Sequence, residues 1–242
     1  GQRHERQRPA RDPGPSAHRV TFMPVLRRGL LAVLFTLLCS PLLGAHAQGL
    51  ELLSLFMKQV RSGQAAFTQV VTSPSRAGQP PRQKTSSGAL AFHRPGQFRF
   101  VYKKPFAQTL VADGQNFWLH DVELNQITVR KQNQVLGGTP MALLTSAADL
   151  KALEADFQLR SEPVRDGLEW VRATPKAQDV QIQSLLAGLR QTDKGVELVV
   201  IDVQDSLGQR SVLTLSGLEI NPTLSADTFV FRVPAGVEVL RP

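Results

Sequence analysis

Residues 88–130, GALAFHRPGQFRFVYKKPFAQTLVADGQNFWLHDVELNQITVR, decide the fold. Apolar and polar side chains alternate here with period two. Leu90 and Phe92, then Phe98, Phe100 and Tyr102, share one face; Arg99, Val101 and Lys103 take the other. That period belongs to half-buried strands, because successive side chains leave a strand on opposite sides. Arg94-Pro95-Gly96 punctuates the first two strands, since proline cannot extend the ladder and glycine permits the bend. Asp113-Gly114 separates the next two and predicts a hairpin turn with positive φ. The stretch reads as a short antiparallel meander with one aromatic-rich face.

Working upstream, Leu50, Leu53, Met57 and Val60 recur at helical spacing, widened by Leu52 and Phe56, with Glu51, Lys58 and Arg61 opposite. This predicts an amphipathic helix of roughly three turns that ends near Gly63. Ala66–Val71 then reads as a strand, and the polar, Pro-rich residues 73–84 as a loop.

Downstream, Gly137-Gly138-Thr139-Pro140-Met141-Ala142-Leu143-Leu144-Thr145 predicts a helix with Thr139 as its N-cap and Pro140 at its first position. The paired glycines leave the backbone ahead of it unusually free. Met141, Leu143 and Leu144 make the first turns apolar on nearly every side, so the helix meets apolar surface on more than one side. An ordinary buried helix and a lid over something removable both satisfy that pattern. Asp149 predicts the cap of a second short helix, Leu150–Ala155. Strand patterns return at Phe157–Leu159, Leu168–Ala173, Ile182–Leu189, Val196–Val203, Ser211–Ile220 and Phe229–Val233. Many strands joined by short turns predict an antiparallel barrel or strongly curved sheet. The fold class is mainly β with α (α+β).

The chain has 242 residues and a formal charge of +8, but its first 47 residues distort that charge. Residues 1–22 are Arg- and Pro-rich without apolar periodicity and read as a disordered upstream extension. Residues 23–47 combine Arg27-Arg28, an apolar run from Leu30 to Leu43 and Ala45-His46-Ala47, the pattern of a cleavable secretory signal peptide cut between Ala47 and Gln48. The apolar run is about 14 residues, short of the ~20 of a spanning helix. Without residues 1–47 the chain carries 21 Lys and Arg against 18 Asp and Glu, so the basic balance nearly vanishes. No Lys/Arg cluster with interleaved aromatics suggests nucleic acid. Residues 48–242 suffice for one domain with a sizeable core. Cys39, the only cysteine, lies inside the apolar run, and Leu37 and Leu38 before it argue against acylation at that position.

Catalytic signatures are missing from this sequence. Residues 48–242 hold two histidines, His93 and His120, and no cysteine. No HExxH, GxSxG, phosphate-binding loop or dinucleotide fingerprint occurs, so no enzyme, cofactor or metal site is expected. Asp113 already has the hairpin to build. What remains is shape and apolar surface: a curved sheet has a concave face that helices must cover. With Phe98, Phe100, Tyr102, Leu110 and Phe117 pointing inward, the space beneath the helices is aromatic and apolar. A packed core and a pocket for a hydrophobic ligand fit that composition equally.

The order of these blocks resembles the periplasmic outer-membrane lipoprotein carrier family (LolA-type). AAFTQVV at 65–71, GALAFHRPGQFRFVY at 88–102, LVADGQNFWLHD at 110–121 and QITVR at 126–130 look like family blocks in the right sequence, as do GGTPMALL at 137–144 and FVFRVPAGVEV at 229–239. TPK at 174–176 fits the family's L-x-P-K region less well. The resemblance spans essentially residues 48–242. It implies an incomplete antiparallel β-barrel lidded by short helices around a hydrophobic cavity, and a monomer. The implied ligand is the acyl chains of lipoproteins, received from an inner-membrane ABC transporter and passed to an outer-membrane receptor. Leu90, Phe92, Phe98, Phe100 and Tyr102 then line an acyl-chain cavity together with Leu110 and Phe117. The lid's Met141, Leu143 and Leu144 complete it. The family's functional arginine, which hydrogen-bonds to the lid, falls in its R-P motif, here Arg94. That makes Arg94 the expected lid latch and Gly137-Gly138 the expected hinge. The nearest alternatives are a lipidated receptor of the same fold and a related periplasmic lipid-binding or sensing protein.

Overall fold

The computed structural model describes residues 48–75, 78–135, 145, 149–177 and 181–242. The described residues fall within one compact unit, and residues 1–41 lie outside them. The extension and signal peptide expected over 1–47 also lie outside them. So do Gly137, Gly138, Met141, Leu143 and Leu144.

Helix α1 (Gln48–Gln59) leads into β1 (Ser62–Ser73), β2 (Arg82–His93), β3 (Gln97–Lys104), β4 (Gln108–Asp113), β5 (Asn116–Asp121) and β6 (Gln126–Lys131). Two short helices follow, α2 (Gln132–Val135) and α3 (Leu150–Asp156). Five strands come next: β7 (Phe157–Arg165), β8 (Leu168–Pro175), β9 (Ile182–Thr192), β10 (Gly195–Asp205) and β11 (Arg210–Ile220). A 3-10 turn at Ala226–Phe229 precedes the final strand β12 (Glu238–Leu240). Among the described residues, all twelve strands form one sheet in the order β12-β6-β5-β4-β3-β2-β1-β11-β10-β9-β8-β7. Its end strands β12 and β7 are not paired with each other, so the barrel is incomplete.

Local chemistry accounts for the meander. Gly114 takes φ +101 in the β4–β5 turn, and the Asp113 carboxylate accepts from the amides of Gln115 (2.8 Å) and Asn116 (2.7 Å) and from the Trp118 indole (2.9 Å). Gln132 staples two turns together. Its Nε2 donates to the Gly96 carbonyl at 2.6 Å, and its Oε1 accepts from the Gly114 amide at 2.9 Å. The β2–β3 register shifts between Ser87 and Gly88, where a Cβ on Gly88 would run into the Val101 carbonyl, so the two backbones meet closely only because the side chain is missing. Asp149 caps α3 as expected, accepting from the Ala152 amide at 2.8 Å.

The sheet's middle is a long-range closure. β1 pairs with β2 on one side and β11 on the other, so Phe67 lies opposite both Gly88 and Leu215. Helix α1 packs on β7–β10 and buries Leu52, Phe56 and Met57. Its C-terminal end is clamped by Asn221, whose Nδ2 donates to the Gln59 carbonyl (2.8 Å) while its Oδ1 accepts from the Arg61 amide (2.7 Å).

One expected strand is absent. Phe229–Val233 does not join the ladder; the chain there crosses the outer face of β3–β5. The Arg99 guanidinium donates to the carbonyls of Thr228 (3.3 Å) and Val230 (3.4 Å), and the Phe231 ring stacks on Trp118 at 5.2 Å. An extended chain lying over a sheet buries every second residue just as a strand within one does, so alternation alone does not distinguish the two. β12 then pairs with β6 in parallel.

Candidate functional site

The inner face of the meander is built by register. Phe100 lies opposite Leu90 on β2 and Leu110 on β4, Phe98 opposite Phe92 and Ala112, and Ala112 opposite Phe117 on β5. These side chains therefore share one surface. Their rings interlock: Phe98 meets Phe100 edge-on at 5.9 Å and Phe117 at 6.2 Å, while Phe67 of β1 lies 5.3 Å from Phe100 and 4.9 Å from Tyr102. Such tilted and edge-on pairs are the favoured arrangements of aromatic quadrupoles.

This surface walls an apolar cavity of about 190 Å3. Phe98, Phe100, Tyr102, Leu110 and Phe117 form one side; Ile201 and Val203 of β10 and Leu213 of β11 face them. β5 and β10 are six strand spacings apart in the sheet, about 29 Å if it were flat. Both line one small cavity, so the sheet folds strongly on itself. Leu90 and Phe92 share the inner face but are buried behind the lining, in the packed core beside this cavity. Met141, Leu143 and Leu144 lie outside the described residues, as do Gly137 and Gly138.

Three polar groups cross the cavity at one end. The Tyr102 hydroxyl donates to Gln69 Oε1 at 2.8 Å, and Gln69 Nε2 donates to Ser211 Oγ at 2.8 Å. Burial pushes the Tyr102 phenol up to about 12, so it stays protonated throughout the ordinary pH range.

Arg94 sits at the opposite end, where β2 turns into β3. Its side chain is buried, with the guanidinium 5.1 Å over the Phe56 ring and Nη1 donating to the Met57 carbonyl near the end of α1 at 3.2 Å. A cation at a helix C-terminus matches the negative end of the helix dipole. Nε and Nη2 have no hydrogen-bond partner among the described residues. Burial, with the nearby Arg61 charge, lowers the Arg94 pKa to about 10, because the charged form is poorly solvated there. A main-chain contact two residues on reaches the segment after α2: the Gly96 amide donates to the carbonyl of buried Thr145 at 2.7 Å. Arg94-Pro95-Gly96 thus touches α1 with its first residue and Thr145 with its last.

His93 is exposed and His120 lies on the outer face near the Phe231 ring, 6.1 Å away, so neither faces the cavity. Among the described residues no group of three or more His, Cys, Asp or Glu could hold a metal, and no helix is long and apolar enough to cross a membrane.

Sequence reasoning missed the far wall of the cavity. Ile201, Val203 and Leu213 were legible as strand residues, but which of their strands would face β3 depends on the β1–β11 pairing. Gln69 and Ser211 carried no local signal at all.

An open sheet rolled around an apolar cavity and backed by helices is a half-barrel with a hydrophobic interior. The same architecture occurs in the crystal structure of an uncharacterized conserved protein from Thermus thermophilus, with a TM-score of 0.50 and 12% identity over 81% of this chain and 98% of that one. The family described as "Outer membrane lipoprotein carrier protein LolA" matches residues 58–232. An outer-membrane lipoprotein carrier protein of Albidiferax ferrireducens is 54% identical over 81% of this chain and 92% of its own length. Its counterpart in Methylibium petroleiphilum is 44% identical over 89% of this chain and 99% of its own. The chain belongs to the outer-membrane lipoprotein carrier family.

Proposed function

We propose that this chain is a periplasmic carrier that shelters the acyl chains of lipoproteins and passes them on without a catalytic step. It receives them from an inner-membrane ABC transporter, delivers them to an outer-membrane receptor, and acts as a monomer after removal of a signal peptide near Ala47/Gln48. The observation that carries this reading is the apolar cavity between β3–β5 and β10–β11. Each methylene withdrawn from water is worth ~0.8 kcal/mol, so several acyl chains cannot cross an aqueous space unaccompanied.

The cavity is smaller than the ~300–1,000 Å3 of ordinary ligand pockets. A guest therefore enters by displacing what covers the inner face. A carrier benefits from that arrangement, because a large open apolar patch invites aggregation when no guest is present. Arg94-Pro95-Gly96 supplies the latch, through the Arg94 contact to α1 and the Gly96 contact to Thr145. Handing over needs no energy source where the receptor holds the guest better: ~1.4 kcal/mol gives a tenfold bias.

Lipid extraction and mass spectrometry of the protein purified from the periplasm of its own host test the reading. Acylated peptides in the extract support it; an extract free of acyl chains counts against it. Arg94→Leu tests the latch. It removes a buried cation with two nitrogens unpaired among the described residues, so the melting temperature stays close to that of the parent while transfer of bound lipoprotein to the receptor falls sharply. Unimpaired transfer would remove Arg94 from the mechanism.

A further inference from the structure

Within the cavity the Tyr102–Gln69–Ser211 string is chemically out of place. Among the described residues, every other lining side chain is apolar. A packed interior gains little from three polar groups joined mainly to one another, because a neutral hydrogen bond exchanged for one to water is worth only about 1 kcal/mol. The string runs across four neighbouring strands, β3, β2, β1 and β11, with side chains from the first and the last two, at one end of the cavity.

Counting donors shows what the string has left to offer. In one arrangement the tyrosine hydrogen goes to the amide oxygen and one amide hydrogen goes to the serine oxygen. The second amide hydrogen and the serine hydrogen remain unused. Turning the amide over makes the serine donate to Gln69 and Gln69 donate to Tyr102; the second amide hydrogen and the tyrosine hydrogen are then the ones left. In either arrangement two donors stay available, all three side chains are half-buried, and none is charged. Two neutral donors inside an apolar cavity match a group that only accepts, is itself neutral, and is attached directly to hydrocarbon.

The placement gives a direction as well. Along the strands the lining runs from Phe98 and Phe117, near the Arg94 turn, to Tyr102 and Ser211 at the other end. Just beyond that end, on the same face by alternation, lie the charged Lys104 of β3 and Lys84 of β2, the latter opposite Val71. Polarity therefore rises in steps from pure hydrocarbon, through neutral hydrogen-bonding groups, to charge. An acyl ester has the same order: tail, carbonyl, polar headgroup.

Resting on the carrier reading above, we infer that Tyr102, Gln69 and Ser211 form a subsite for the ester carbonyls of the guest, fixing its tails toward Phe98 and Phe117 and its headgroup toward the end marked by Lys104 and Lys84. The chain then distinguishes an O-acyl lipid from a hydrocarbon of equal length.

The test uses two probes that differ only at that group: a fluorescent 1,2-diacylglycerol and its 1,2-dialkyl ether, which lacks both carbonyl oxygens. The full protein is expected to bind the ester roughly tenfold more tightly than the ether. In Gln69→Leu, and independently in Ser211→Ala, the ester-to-ether ratio falls toward one, whatever happens to overall affinity. The ratio is read within each protein, so a general packing defect does not imitate the effect. Equal binding of both probes by the parent protein overturns the subsite and leaves the carrier reading standing. A ratio that survives both substitutions also overturns it. Failure of the parent to bind either probe removes the carrier reading and this inference with it.

Discussion

The two halves of the sheet are made of the same kind of strand and end differently. Over β7–β10 the inner face is covered by the chain's own helix: Phe56 and Met57 of α1 are 1% and 2% exposed, against Leu189 at 0% and Leu198 at 2%. Over β3–β5 the equivalent face meets a cavity, and Tyr102, Leu110 and Phe117 are only half-buried. Hydrophobic residues are plentiful in both. Among the described residues, what separates them is that α1 fills the first while a cavity borders the second, and an apolar lining left partly unmatched gives up stability that a guest can restore.

Breaking the packed half should have the largest effect. Phe56→Ala removes a ring buried beneath α1 that also carries the Arg94 guanidinium, and is expected to cost about 3–5 kcal/mol in chemical denaturation. A loss under about 1 kcal/mol would mean that α1 is not part of the core. A matched pair of enlargements sharpens the contrast. Leu189→Phe overfills the packed half and should cost about 1–3 kcal/mol, whereas Leu110→Phe projects into free volume and should cost less than about 1 kcal/mol while reducing lipid binding. Equal penalties at the two sites would show that the halves are packed alike.

A modest, pH-dependent effect belongs to the hairpin that holds the guest-facing half together. Burial alone would raise the Asp113 pKa, but hydrogen bonds from Asn116, Trp118 and Gln115 outweigh it and hold the carboxyl below its ordinary value. A carboxyl depressed on folding stabilises above its unfolded pKa of ~3.9, and that contribution disappears as pH falls through the lower folded value. Asp113→Ala should therefore cost about 1–2 kcal/mol at pH 7, with the gap to the parent narrowing below about pH 4. Denaturant titrations of both proteins at pH 7 and at about pH 3 read the difference, and a gap independent of pH would assign the turn's stability to its backbone alone.

The guest-facing wall could be read from the sequence because its information is local. Alternation in 88–130 gives the face of each strand, Asp113-Gly114 gives the turn, and adjacent strands in a meander pair in order. The same reasoning places Asp149 at its helix. It fails wherever a side chain's role depends on a distant partner. Ile201, Val203 and Leu213 reach the cavity only because β1 pairs with β11, far along the chain. Gln132 joins two turns from a short helix that has no apolar pattern of its own. Phe229–Val233 has a strand's alternation but lies across Trp118 and Arg99 instead of beside a strand. Arg94 shows the limit most clearly: family resemblance selects it, yet nothing in its neighbours' spacing forecasts a guanidinium stacked on Phe56 with its charge near the end of α1.

The parallel pairing of β12 with β6 has one more consequence. An unpaired outer strand offers a row of free amides and carbonyls on which a second molecule can polymerise. Glu238–Leu240 occupies that row opposite Gln126–Thr128 and leaves at that rim an outermost strand of only three residues, a short template for a second molecule.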